Sequence, residues 1–303
     1  MGWRSCALRQ SHEGLATEGR EIVKSHRPSR TAHFVALGRA IADTGISHIP
    51  TFSDPTARVF LNARGRRSLA KIELATRAAR RSARLEAARG MADIIGLRTV
   101  AIDAAVRAAI AGGARQLVIL GAGYDGRAWR MGELAGVRVF EVDHPATQGA
   151  KRAHLAELPR PNDAVTFVAI DFERESLDAV LQRAGHDRRS PTCWIWEGVV
   201  MYLTRDAMRA TLAAVAGRSA PGSTLIVNYH TAHRRFIARL MFWLMGEPQI
   251  SAWTPEEMAA DLRSAGFQVR EDSGMTQWNE RFAERRGRVE RGSYMRVVVA
   301  RKS

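Results

Sequence analysis

The sequence predicts an α/β fold built on a doubly wound, mostly parallel sheet. The first observation is that short apolar runs alternate with helical segments from Arg115 onward, which is the pattern of βαβ units. The second is that the first run, 117–120, ends in a glycine turn, and the third is that the next run ends in Asp143. The predicted strands are 116–121, 137–142, 165–170, 192–199 and 223–229, and the predicted helices between them lie near 146–157, 175–184 and 204–217.

Helical sequence precedes this sheet, and two further strands follow it. The expected helices before Arg115 are 32–43, 54–60, 67–88 and 91–111. After the fifth strand, the expected elements are a helical stretch at 231–245, a helix starting at 254, and strands at 267–271 and 294–300 that form an antiparallel pair at the sheet edge. We therefore expect an N-terminal helical cap, 1–112, and a sheet domain, 113–303, with a helical insertion at about 231–253, all within one compact unit.

The positive charge of the chain does not by itself indicate a nucleic-acid partner. There are 46 basic and 31 acidic residues, giving a net charge of +15. The arginines are spread over the whole chain, and the densest zone, 64–89, carries no recognition module. We therefore expect no nucleic-acid partner, and the role of this arginine-rich zone stays open. A nucleic-acid binder remains the non-enzymatic alternative, and it would show steep salt dependence.

Cysteine content and hydropathy suggest a cytoplasmic protein without a structural metal. Cys6 and Cys193 are too few for a disulfide framework or a metal site. No apolar run approaches the ~18 residues needed to cross a membrane. The N-terminal sequence MGWRSCALRQ lacks the apolar core of a signal peptide. We expect neither a membrane partner nor a metal.

The glycine turn and the acid that follows it predict a nucleoside site. Gly121, Gly123 and Gly126 complete a G-x-G-x-x-G pattern directly after the first strand. Asp143 stands about 20 positions later, at the end of the next strand, where βαβ nucleotide folds bind ribose hydroxyls. The pattern alone does not choose between NAD and another adenosine-bearing cofactor. A pyrophosphate would need a helix N-terminus directed at it, whereas a sulfonium cofactor would not.

Two further strand ends carry groups that suit a nucleoside. The third strand ends in Asp171-Phe172, where a carboxylate and an aromatic ring could hold an adenine. The fourth strand ends in Glu197. Since ligands in parallel sheets bind outside the carboxyl ends of the strands, these groups are expected at one edge of the sheet.

Four segments carry a family resemblance. They are LGAGYDGRAWR, VFEVDHPATQGAK, AIDFE and WIWEGVVMYLT. In this order they resemble a family of S-adenosylmethionine-dependent methyltransferases related to the leucine carboxyl methyltransferases, whose bacterial branch includes many assigned as O-methyltransferases. The resemblance covers about residues 30 to 300. It implies a class I methyltransferase sheet, with 113–303 as a Rossmann-like domain that binds S-adenosylmethionine. The family usually has threonine at the position of Gly126, so the third glycine completes the dinucleotide pattern by coincidence.

The resemblance also implies roles for particular residues. The glycine turn would contact the amino-acid part of the cofactor, Asp143 the ribose, and Asp171 with Phe172 the adenine. Arg98 would pair with the cofactor carboxylate, as an arginine can do with two parallel bonds, and Arg39 is a weaker candidate for the same wall. The cofactor-binding residues implied are Arg98, Gly121, Ala122, Gly123, Asp143, Asp171, Phe172 and Glu197.

The methyl acceptor is expected to be a small molecule with a carboxylate or hydroxyl group, and a protein carboxylate is the alternative acceptor. An NAD-dependent oxidoreductase that uses the G-x-G-x-x-G turn is the alternative enzyme class. A carboxylate acceptor would need no general base, whereas a phenol or alcohol can require one. Tyr202 and His230, and also His144, are candidates near the methyl group, although a packing role is favoured for each. The N-terminal helices and the 231–253 insertion are expected to roof the acceptor pocket. Its wall could include Phe236, Phe242, Trp243 and Trp253, unless these aromatics belong to the core.

Overall fold

The computed structural model describes residues 29–78, 82–161, 165–171, 174–232, 249–284 and 294–303. These residues form seven strands, which are β1 (Gln116–Leu120), β2 (Arg138–Asp143), β3 (Val165–Ala169), β4 (Thr192–Trp196), β5 (Thr224–His230), β6 (Phe267–Gly274) and β7 (Met295–Lys302). The strands form one sheet in the order β3-β2-β1-β4-β5-β7-β6. The first five strands run parallel, and β7 lies antiparallel between β5 and β6. The predicted fold class is confirmed, including the antiparallel C-terminal strands.

Helices cover both faces of the sheet. The α-helices in the described residues are α1 (Arg30–Ile41), α2 (Ala63–Arg77), α3 (Ala83–Ala111), α4 (Arg127–Arg130), α5 (Pro145–Arg152), α6 (Leu177–Arg183), α7 (Arg205–Gly217), α8 (Pro255–Ser264) and α9 (Met275–Phe282). Alternate side chains of a strand point to opposite faces. Leu117 and Ile119 therefore pack in a core shared with α1, α2 and α3, while Val118 and Leu120 pack in a core shared with α6, α7 and α8.

The N-terminal helices differ from the predicted boundaries. The alanine- and arginine-rich region divides before Ser82 and not near Gly90, which lies inside α3. Side-chain caps fix these starts: Asn62 Oδ1 accepts the Gly65 N–H at 2.9 Å, and Ser82 Oγ accepts the Leu85 N–H at 3.2 Å. Alanine and arginine favour helix throughout the region, so composition alone does not mark the break.

One further prediction needs correction, and another lies almost entirely outside the described residues. The short helix expected at 54–60 is a series of hydrogen-bonded turns, because the Asp54 side chain is buried in ion pairs and does not cap a helix. Helix α9 was not predicted. The helical stretch expected at 231–245 falls almost entirely outside the described residues, whereas the helix starting at Thr254 is confirmed by a capping box between Thr254 and Glu257.

The strand order reverses between β1 and β4. From β1 the chain proceeds to β2 and β3 on one side, and then returns to β4 and β5 on the other. Ligands of open α/β sheets bind at such a switch point, outside the carboxyl ends of the strands. The residues after β1 and β4 therefore define where a site is expected.

Candidate functional site

The turn after β1 has the close backbone approaches that its glycines permit. Gly121 and Gly123 have φ values of 67° and 50°, a left-handed conformation that favours glycine. A Cβ atom on Gly121 would lie 2.4 Å from Val199 Cγ2, and one on Gly123 would lie 3.3 Å from Ala32 Cβ of α1. Ala122 is buried and donates its N–H to Val142 O at 3.1 Å. The turn is therefore held between β2, the segment after β4 and the start of α1.

Asp143 is bonded directly to this turn. Its carboxylate accepts the backbone N–H of Gly123, and it accepts the His144 N–H at 2.6 Å. Burial raises the pKa of Asp143, although these two backbone hydrogen bonds oppose the rise. The structure thus brings together Gly123 and Asp143, which the sequence placed at the same site.

Asp171 lies at the same edge of the sheet, beyond β3. Ala169 is the register partner of Asp143, and Ile170 donates its N–H to Asp143 O at 2.9 Å. The Asp171 side chain is 33% exposed and approaches Arg174 at 3.5 Å. Phe172, predicted beside the adenine, lies outside the described residues.

Glu197 pairs with two arginines beside the glycine turn. It follows β4, whose last residue, Trp196, is in register with Leu120 of β1. Glu197 Oε1 lies 2.8 Å from Arg98 Nε, and Glu197 Oε2 accepts from Arg127 Nη1 at 3.0 Å. Burial would raise the pKa of Glu197, but the charges of Arg98 and Arg127 lower it. Glu197 is therefore an ionised carboxylate at the switch point.

Arg98 reaches this site from α3, as the resemblance implied, but it contacts Glu197 through its Nε edge. Its side chain is 7% exposed. Its two terminal nitrogens make no hydrogen bond within the described part of the chain. The guanidinium therefore retains donors for a further anionic group.

The sequence did not single out Arg127, which is central to the site. Arg127 is fully buried and donates from Nε to Asp103 Oδ1 at 2.7 Å, as well as to Glu197 and Asp125. Burial opposes ionisation of Asp125, yet Arg127, Lys151 and Arg39 lower its pKa to about 2. The D-x-R spacing is a local signal for the contact between Asp125 and Arg127 alone, and it does not indicate Asp103 or Glu197.

Arg39 supports the turn from α1. Its Nη2 donates to Tyr124 O at 2.5 Å, and its Nη1 lies 3.3 Å from Asp54 Oδ2. Arg39 was the weaker candidate for the wall of the site. In the structure it contacts the backbone of Tyr124, directly after the glycine turn.

The three candidates for acid–base chemistry occupy separate positions. His144 Nδ1 accepts the Ala146 N–H at 3.2 Å and so caps α5. Tyr202 is half-buried at the end of the short 3₁₀ helix Val200–Tyr202. His230 ends β5 and packs edge-on against the Tyr294 ring, with the ring centres 4.7 Å apart.

The aromatic wall expected from the insertion is not supported at Trp253. Trp253 is 1% exposed, lies in the core shared with α7 and α8, and donates from Nε1 to Asp261 Oδ2 at 3.1 Å. The Arg205 guanidinium covers its ring at 5.4 Å. Trp253 is therefore a core residue. The other three aromatics, Phe236, Phe242 and Trp243, fall outside the described residues.

The described residues contain no cluster of three or more histidine, cysteine, aspartate or glutamate side chains suited to a metal ion. None of the helices they form combines the length and apolarity needed to span a bilayer.

Comparisons with known proteins find relatives that match large parts of this chain. A protein of Mycobacteroides abscessus named "Putative S-adenosyl-L-methionine-dependent methyltransferase" is 38% identical over 203 residues, which is 65% of this chain and 65% of the relative. This chain thus matches just under two thirds of that relative's length. A protein of the same description from Frankia alni is 35% identical over 244 residues, covering 78% of this chain and 81% of the relative.

A solved structure and a family model complete the comparison. The crystal structure of a "putative methyltransferase" from Thermobifida fusca YX has a TM-score of 0.56, covers 95% of this chain and 99% of its own, and is 19% identical, so it supports the fold alone. The model for leucine carboxyl methyltransferase matches residues 32–216, which include the glycine turn and the ends of β1 to β4. The chain belongs to the leucine carboxyl methyltransferase family.

Proposed function

We propose that this protein is an S-adenosylmethionine-dependent methyltransferase that acts on a carboxylate or hydroxyl oxygen of a small molecule. The observation that carries the proposal is the arrangement of Gly123, Asp143 and Glu197 at the switch point of the sheet, where the Asp143 carboxylate bonds the glycine turn itself. Family membership supports the choice of cofactor. A protein carboxylate as acceptor would use the same cofactor site.

Asp143 is suited to bind ribose hydroxyls while keeping its present bonds. A carboxylate offers about four acceptor positions, and the N–H groups of Gly123 and His144 use two of them. The remaining positions can accept two neighbouring hydroxyl groups. Asp171, one strand further along the same edge, is the group proposed for the adenine amine.

Arg98 and Glu197 are suited to the amino-acid part of the cofactor. They form an ion pair at 2.8 Å, and an α-amino acid carries the same two charges. The ammonium group would be bound by Glu197 and the carboxylate by the free edge of Arg98, so the total charge of the site would be unchanged. Such an exchange avoids leaving a buried charge uncompensated.

When bound, S-adenosylmethionine supplies a methyl group already activated by a sulfonium. The task of the chain is therefore to align the acceptor and to exclude water. We propose that residues 1–112 act as a cap on the cofactor domain, 113–303. The start of α1 lies over Gly123, and Arg39 and Arg98 reach the site from α1 and α3. His230 and Tyr202 remain the candidates for a base, if the acceptor is a hydroxyl.

The geometry does not favour the NAD alternative. Helix α4 after Gly126 is four residues long, and its first N–H, from Arg127, is bonded to Asp125 Oδ1 at 2.7 Å. A pyrophosphate would therefore meet a carboxylate at the helix N-terminus where it needs free N–H groups. A cofactor without phosphate does not meet this conflict.

Calorimetry can decide between these cofactors. S-adenosylhomocysteine is expected to bind the full chain and to raise its melting temperature, whereas NADH is expected to do neither. Incubation of the protein with small-molecule extracts and methyl-tritiated S-adenosylmethionine is then expected to label one compound. A labelled methyl ester releases methanol on mild alkaline hydrolysis, whereas a labelled methyl ether does not. Binding of NADH without S-adenosylhomocysteine would reject the proposal.

A further inference from the structure

A continuous series of buried ion pairs connects the helical cap to the proposed cofactor site. It begins at Arg39 on α1 and ends at Arg98 on α3, passing through the segment after the glycine turn. Asp125 contacts Arg127 as a side branch, so the series contains four arginines and four carboxylates. Its members in order of contact are Arg39, Asp54, Arg130, Asp103, Arg127, Glu197 and Arg98.

Asp103 is the central link of this series. Its Oδ1 accepts from Arg127 Nε at 2.7 Å, and its Oδ2 accepts from Arg130 Nη1 at 2.6 Å. The side chains of Asp103, Arg127 and Arg130 are 5%, 1% and 6% exposed. Buried charges are costly unless paired, so removal of one partner leaves a strong imbalance. Burial would raise the pKa of Asp103, yet the two guanidinium groups lower it, which keeps the link ionised.

Arg127 transmits the position of Asp103 to Glu197. Its planar guanidinium uses Nε for Asp103 and Nη1 for Glu197, so one rigid group is held at both ends. Glu197 in turn divides its oxygens between Arg127 and Arg98. The orientation of the Glu197 carboxylate is thereby set by Asp103, which lies on α3 and acts on Glu197 through Arg127.

We propose that Asp103 and Arg130 are positioning residues for the amino-acid part of the cofactor, acting through Arg127 on the Glu197–Arg98 pair. The inference rests on the proposed function, because it assigns Glu197 and Arg98 to that part of S-adenosylmethionine. It follows that a change at Asp103 alters the binding of the amino-acid part selectively. Asp143 and Asp171, to which the adenosine part is assigned, are not members of the series.

The test compares two ligands on the full-length protein by calorimetry. S-adenosylhomocysteine has the amino-acid part, whereas methylthioadenosine has the adenosine and sulfur but lacks it. Asp103→Asn is expected to weaken the binding of S-adenosylhomocysteine about 3- to 30-fold, while the affinity for methylthioadenosine changes by less than about twofold. If Asp103 has only a structural role, the substitution would weaken the binding of both ligands to the same degree.

Arg218→Gln provides a matched control. Arg218 is also a buried arginine with a carboxylate partner, Asp178, at 2.8 Å, but it has no contact with the series. Its replacement is expected to lower stability while leaving the ratio of the two affinities unchanged. A change in that ratio comparable with the change in Asp103→Asn would overturn the inference.

Arg130→Gln gives a second test should Asp103→Asn fail to fold, and it is expected to show the same selectivity. The double variant restores equal numbers of positive and negative charges, so its loss of affinity is expected to be smaller than the two single losses combined. Equal weakening of both ligands, or no weakening of either, would limit Asp103 to a structural role and leave the proposed function intact. Failure of the unaltered protein to bind S-adenosylhomocysteine would overturn the function and this inference together.

Discussion

Gly126 lies against Thr56 so closely that no side chain fits between them. A Cβ atom on Gly126 would fall 1.9 Å from Thr56 Oγ1 and 3.3 Å from Asp54 Oδ1. Gly126 has a φ of −111°, so the backbone conformation itself does not require glycine. The third glycine of the apparent dinucleotide pattern is therefore explained by the packing of Asp54 and Thr56 against it, and not by the approach of a pyrophosphate.

Gly126→Ala is expected to destabilise the fold by about 1–3 kcal/mol, because the added methyl group overpacks a closed contact. Chemical denaturation would measure the change. Thr56→Ala removes the nearest atom, so the cost of Gly126→Ala is expected to be smaller in that background. Gly90→Ala serves as the control: Gly90 lies within α3 with no atom near its Cβ position, and alanine there is expected to stabilise the helix by about 0.5–1 kcal/mol. Equal effects at both glycines would contradict the packing argument.

Asp143→Ala is expected to weaken S-adenosylhomocysteine binding about 10- to 150-fold, since a charged acceptor of ribose hydroxyls is lost. Asp143→Asn keeps one oxygen for the Gly123 N–H but turns its amide NH2 towards the His144 N–H, which is also a donor. We expect Asp143→Asn to keep the fold with a lowered melting temperature and to have reduced affinity. Unchanged affinity in both variants, measured by calorimetry, would remove Asp143 from the site.

The strand ends could be predicted because each signal is local. An apolar run followed by glycine or an acid is visible within a few residues, as at Gly121, Asp143 and Glu197, and parallel strands bring their carboxyl ends to one edge. The family resemblance added Arg98, which has no local signal. Here sequence patterns identified the elements that meet at the candidate site.

The ion pairs at Arg127 could not be predicted in the same way. Its partners Asp103 and Glu197 lie 24 and 70 positions away, and only packing of α3 against the turn brings them together. In an arginine-rich chain a buried arginine has the same local sequence as an exposed one. The insertion of β7 between β5 and β6 is likewise a matter of pairing between distant strands, which composition does not specify.

Stability is expected to fall in mild acid because of His186. Burial, reinforced by Arg218 and Arg138, lowers the pKa of His186 from 6.5 to about 4. Its Nδ1 accepts from Arg218 Nε at 3.3 Å, so a proton there would face another N–H donor. The neutral form is favoured in the folded state. The contribution is therefore fully present above pH 6.5 and is lost as the pH falls towards about 4.

Denaturation at about pH 7.5 and about pH 5 measures this contribution, which is expected to decrease by about 2 kcal/mol between the two conditions. His186→Gln removes the titrating group, and its stability is expected to change less over the same interval. The difference between the two proteins isolates the histidine from the carboxylates that also titrate in acid. Parallel pH curves would contradict the assigned neutral state.

Trp253→Ala is expected to destabilise the fold by about 3–5 kcal/mol, as for other large core aromatics. The ring is 1% exposed, and its Nε1 bond to Asp261 would also be lost. Trp253→Phe keeps most of the packing and is expected to retain the folded state. Thermal unfolding with and without S-adenosylhomocysteine is the measurement. A stable Trp253→Ala protein that binds cofactor but no longer transfers methyl groups would return Trp253 to the acceptor pocket.

Arg98→Gln is expected to weaken the binding of S-adenosylhomocysteine about 10- to 150-fold and to change the affinity for methylthioadenosine by less than about twofold. The reason is that the lost donors would serve the cofactor carboxylate through charged hydrogen bonds. Glu197 would keep Arg127 as its partner at 3.0 Å, so the variant does not leave that carboxylate uncompensated. Arg107→Gln on the same helix is the matched control, because Arg107 pairs with Glu133 at 2.6 Å and is 49% exposed. Its replacement is expected to change neither affinity. If Arg98→Gln weakens both ligands to the same degree, Arg98 serves the fold and the cofactor carboxylate is bound elsewhere.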